Sequence, residues 1–188
     1  MGQIKKDVAQ DHLRLHPDEY DLIKPFTNGF NISWARKRRS YGSNFSTYII
    51  APENKISTFF GIKQEVLLVY FDYSPLQART MQAIDSLFQE HPYQGRVDPT
   101  IFIMIVKNKC VKDWVSNYIS ENPQSRMPVV FDISDIRIAN NKPWEVINVM
   151  SNYLYFRDLF DFNLPINNDL FFFGRERQIS ELIALPRM

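Results

Sequence analysis

Cysteine is almost missing from this 188-residue chain, and the single one, Cys110, excludes both an internal disulfide framework and a zinc site built from one chain's cysteines. Histidine is scarce too. His12 and His16 stand four apart, but Pro17 follows them and no third ligand is near, so neither they nor His91 read as a metal site. Net charge is nearly nil, +1 from 22 basic and 21 acidic residues, which excludes a globally basic nucleic-acid binder. No apolar run approaches the roughly 20 residues that span a bilayer. The opening Met1-Gly2-Gln3-Ile4-Lys5-Lys6-Asp7 has no hydrophobic stretch to act as a secretory signal, and Lys6 stands where a myristoylation pattern asks for Ser or Thr. A soluble, cytoplasmic protein with no membrane partner is expected. What the chain has is apolar bulk: 45% hydrophobic residues, with 15 Phe, 9 Tyr and 3 Trp, fill one ordinary domain.

Three stretches are continuously or nearly continuously apolar: 66–71, 101–106 and 127–131. A strand with one wet face alternates, whereas such runs suit strands covered on both faces. Between them lie helical patterns. Ser74-Pro75-Leu76-Gln77 has capping-box chemistry, and Leu76, Ala83, Ile84, Leu87 and Phe88 fall on one face behind it. Val111, Trp114, Val115, Tyr118 and Ile119 repeat that spacing before Asn122-Pro123 stops the helix. Upstream, Ser46 to Ile50 and Ile56 to Phe60, joined by Ala51-Pro52-Glu53-Asn54-Lys55, read as a hairpin. A further helix is expected from Asn141-Lys142-Pro143 onward, with Trp144 on its apolar side. The expected fold is a three-layer α/β domain over 44–157, its central sheet mostly parallel (β-α-β-α-β) and preceded by the hairpin. Residues 1–43 are expected to be irregular and 158–169 a linker.

Chemistry-bearing residues are few. Asp72 and Asp132 follow the first and third apolar runs, with Asp135 close behind. Ligands of open α/β sheets sit outside the strands' carboxyl ends, so these acids are the catalytic candidates. Asp is equally the natural N-cap at such junctions, which is the favoured reading. Glu53-Asn54-Lys55 matches the D/E-x-K tripeptide that holds Mg²⁺ in restriction-endonuclease-like cores, and hairpin, strand, helix, strand is their order. The tripeptide, however, falls in a turn. Arg36, Lys37, Arg38 and Arg39, between Trp34 and Tyr41, form the one dense charge cluster. It is read as a solvated loop or a docking surface for an acidic partner, with nucleic acid the less favoured ligand. Cys110 and Trp114 are expected to be buried. No metal site is expected.

The most specific segment is the last, Asp169-Leu170-Phe171-Phe172-Phe173-Gly174-Arg175-Glu176-Arg177-Gln178-Ile179-Ser180-Glu181. It resembles the opening of the nucleotide-binding domain of AAA- and STAND-type ATPases. The resemblance implies that residues 170–188 begin such a module and that Phe173, Gly174 and Arg175 would lie beside the adenine of ATP. No G-x-x-x-x-G-K-[ST] occurs in the chain, so no cofactor is expected here, ATP and Mg²⁺ belonging to the implied full-length protein. The resulting expectation is a non-catalytic sensing or interaction module, with a protein partner or self-association, in bacterial defence or signalling. The alternative is an effector enzyme, either a TIR-like NAD hydrolase or a metal-dependent restriction-endonuclease-like nuclease.

Overall fold

In the computed structural model, which describes residues 8–40, 43–72, 76–122 and 126–154, the chain begins with helix α1 (Val8–Leu15). A short helix α2 (Tyr20–Ile23) follows between two 3-10 turns, Pro17–Glu19 and Lys24–Asn28. Strands β1 (Phe30–Ser40) and β2 (Ser43–Pro52) come next, then helix α3 (Asn54–Phe60) and strand β3 (Glu65–Tyr70). Helix α4 (Ala78–Leu87), β4 (Val97–Val106), α5 (Lys109–Glu121) and β5 (Met127–Asp132) alternate after it. Helices α6 (Ile133–Asn141) and α7 (Glu145–Leu154) complete the described chain.

The five strands form one open mixed sheet in the order β1-β2-β3-β4-β5. β1/β2 and β2/β3 pair antiparallel, while β3/β4 and β4/β5 pair parallel. Period-two alternation divides the apolar side chains between two faces. Val66, Leu68, Ile103, Ile105, Val129 and Phe131 enter a core shared with α1, α3, α6 and α7. Leu67, Val69, Phe102, Met104 and Val130 enter a second core against α4 and α5. Continuous apolarity in these strands is thus two-sided burial. Leu76, Ala83, Ile84, Leu87 and Phe88 are buried in the second core, and Val111 and Val115 join them from α5. Helix α4 starts later than expected: Gln77 is its N-cap and Thr80 completes the capping box, so Leu76 precedes the helix. Asn108 caps α5 by accepting a bond from the Val111 N–H at 3.1 Å. No helix among the described residues is long and apolar enough to cross a membrane.

Four expectations need correction. The sheet is mixed, with as many antiparallel as parallel pairings, not mostly parallel. Within the expected irregular segment, residues 8–40 are not irregular, since they supply α1, α2 and the edge strand β1. A register shift between Ile32 and Trp34 hides β1 in the sequence. It places Phe30, Ile32 and Ala35 in one core, breaking the period of two that marks a strand. The hairpin is accordingly β1–β2, and Ile56 to Phe60 is helical. Ile56 and Phe60, four apart, are both buried, and Gly61 ends the helix in the left-handed region at φ 67°. Finally, α6 fills a stretch with no expected helix, and Trp144 precedes α7 at 57% exposure; Val146, Val149 and Met150 carry the buried face instead.

Candidate functional site

Ser46 of β2 stands opposite Tyr70 of β3 and Lys37 of β1, so the carboxyl ends of β1, β3, β4 and β5 share one end of the sheet. Most chemistry-bearing side chains gather there. Asp72 lies just past β3 and is exposed. Asp132 ends β5, with β4 between the two; adjacent strands are about 4.8 Å apart, so the pair starts from strands about 10 Å apart.

Asp132 is occupied by its own helix. Its Oδ1 accepts the backbone N–H groups of Ser134 (2.7 Å) and Asp135 (3.0 Å) and the Ser134 hydroxyl. Asp135 answers as the other half of a capping box, accepting the Asp132 N–H at 3.0 Å and the Lys112 ammonium at 2.7 Å. Burial pushes the Asp132 carboxyl up, but these hydrogen bonds and Lys112 outweigh it and hold the group below its ordinary value. The two acids join β5 to α6 and α6 to α5.

Beside β2 lies a buried polar cluster that no sequence pattern announced. Glu19, 2% exposed, receives His12 Nε2 at 3.2 Å, the Ser46 hydroxyl at 2.7 Å and the Tyr48 hydroxyl. Pro17 starts the turn that turns Glu19 inward, while its neighbours Asp18 and Tyr20 stay exposed. Desolvation raises the Glu19 carboxyl, yet the bonds from His12, Tyr48 and Ser46 overcome it and leave its pKa lowered. Tyr48 moves upward, first through burial and then through Glu19. Tyr70 is pushed up to about 12 by burial and by Asp72, Glu19 and Asp18. The His16 ring sits 4.7 Å from that of His12. Among the described residues no group of three or more His, Cys, Asp or Glu is placed to hold a metal ion.

The basic cluster lies on β1, not on a loop. Arg36 and Arg38 stand opposite Thr47 and Phe45, and Lys37 and Arg39 opposite Ser46 and Asn44, so successive cations point to opposite faces. Arg38 pairs with Glu90 and its guanidinium lies 5.8 Å from the centre of the Tyr93 ring. Arg36, Lys37 and Arg39 are exposed. Glu53-Asn54-Lys55 sits at the opposite end of the sheet, just past β2, with Glu53 as the N-cap residue of α3. At that end, too, a cavity of about 140 Å³ opens between Phe88, Tyr93, Val97 and Arg126. Arg126 stacks on Phe88 at 4.1 Å and pairs with Asp85. Cys110 is exposed, against expectation, as are Lys107, Asn108 and Lys109 before it, while Val111 turns into the core; Trp114 is only partly buried. Phe173, Gly174 and Arg175 lie outside the described residues. No family model, curated protein or solved structure matches the chain.

Proposed function

We propose that this chain is a non-catalytic sensing or interaction module that precedes an AAA/STAND-like nucleotide-binding domain in a defence or signalling ATPase. The observation that carries the reading is the run from Asp169 to Glu181, with its aromatic-Gly-Arg-Glu core at Phe173, Gly174, Arg175 and Glu176. The geometry supports it from the other side. Asp132 and Asp135, best placed for chemistry at a strand end, each commit one carboxylate oxygen to the helix cap, and Asp135 also pairs with Lys112. On this reading the β3-α4-β4-α5-β5 unit is the scaffold, the β1–β2 hairpin its appendage, and ATP with Mg²⁺ belongs to the following domain. The test is the sequence encoded beyond Met188. A G-x-x-x-x-G-K-[ST] loop closely downstream is expected; a protein continuing without one contradicts the reading.

A nuclease reading has one observation in its favour. The order hairpin, strand, helix, strand is approached by β1–β2, β3, α4 and β4, with helix α3 inserted between hairpin and β3. Against it, Glu53 and Lys55 belong to the start of a helix, and the inner residues of β3 are apolar on both faces.

A further inference from the structure

We infer that the outer edge of β1 is a docking edge for an acidic, extended protein segment that adds to the sheet as a further strand. This names the partner class of the interaction module and rests on that reading. β1 ends the sheet, and among the described residues no strand pairs with its outer side, although helix α1 packs against β1. From Trp34 to Ser40 its register with β2 is unbroken, so alternate residues turn their N–H and C=O groups outward in a regular row.

Charge selects the occupant. Arg36, Lys37 and Arg39 are exposed and face neutral cross-strand neighbours, Thr47, Ser46 and Asn44. Of the four cations on this strand only Arg38 has an ion pair among the described residues. A second copy of β1 would set cation against cation, which destabilises cross-strand pairing. A nucleic-acid backbone needs its cations along one surface, whereas these project alternately from both faces. A β-strand's side chains alternate with the same period of two. An incoming segment with consecutive Glu and Asp therefore meets Arg36 on one face and Lys37 and Arg39 on the other, while its backbone pairs with the outward groups of β1.

The probe is a fluorescein-labelled peptide, Thr-Val-Glu-Asp-Glu-Glu-Val-Thr, titrated by anisotropy with the whole chain at low salt. Saturable binding is expected. Replacing Arg36, Lys37 and Arg39 together by Ala should weaken it about tenfold, at roughly two- to threefold per cross-strand pair. The three positions are exposed, and an unchanged urea midpoint checks that the variant folds. Peptides N-methylated at alternate residues keep every charge but lose the donors of one edge; one of the two registers should abolish binding. The inference is overturned if neither register matters, if single- or double-stranded DNA of equal charge binds more tightly, or if the peptide fails to bind at about 1 mM. Loss of peptide binding alone leaves the module reading standing, whereas turnover of NAD or DNA removes that reading whatever the peptide does.

Discussion

Replacing Glu19 by Ala removes the acceptor of three buried donors at once. His12, Ser46 and Tyr48 are 8%, 2% and 0% exposed, so water reaches them poorly once the carboxylate is gone. Each orphaned buried group costs about 1–3 kcal/mol. Entering water relieves part of the sum, so Glu19→Ala should lose about 3–5 kcal/mol. Glu19→Gln keeps the shape but turns an amide toward hydroxyl donors, for an expected loss of about 1–3 kcal/mol. With a urea slope of about 2 kcal/mol/M, the midpoint of the Ala variant should fall by about 1.5–2.5 M. The pH dependence has a definite sign. Glu19 is held below its ordinary 4.5 in the folded chain, so its contribution is complete above pH 4.5 and is lost as pH falls below it. Urea melts followed by circular dichroism at pH 7 and pH 4 read both effects. A Glu19→Ala midpoint within about 0.3 M of the parent would refute the reasoning that Glu19 is the needed acceptor of His12, Ser46 and Tyr48.

Asp132→Ala should cost about 1–2 kcal/mol through the lost cap of α6, and Asp132→Asn distinctly less, measured by the same melts. Because the Asp132 carboxyl is lowered from 3.8, its contribution too should fade as pH drops below that value. At Gly29 an added Cβ would lie 2.7 Å from Ile56 Cγ1 and 3.0 Å from Cδ1. Gly29→Ala should therefore destabilise by about 1–3 kcal/mol, read by the same melts.

How far the sequence predicts this molecule depends on where its signals are local. Strands β3, β4 and β5 were legible because burial on both faces demands unbroken apolar runs. The helix faces of α4 and α5 were legible from their spacing. β1 was not, for two reasons visible in the structure. A bulge at Ser33 shifts its parity, and its outer half consists of long cations, as befits an edge strand exposed to solvent. Asn54 to Phe60 misled because Ile56 and Phe60 fit a helix and a strand equally well over so few residues. Of the strand-end acids, Asp132 and Asp135 were placed at the right junction, and their capping chemistry follows from residue type alone. Glu19 was hidden in an acidic stretch with Asp18 and Asp21, since only the tertiary fold turns one of those acids inward.

The central claim, that these strand-end acids build structure and the chain works by contact, is tested most directly by turnover. The purified chain is incubated with NAD and, separately, with supercoiled DNA in Mg²⁺ or Mn²⁺, beside Asp72→Ala and Asp132→Ala variants. The prediction is no cleavage of either substrate above a no-protein control, for the parent and both variants. NAD loss or DNA nicking by the parent that either substitution abolishes would contradict it.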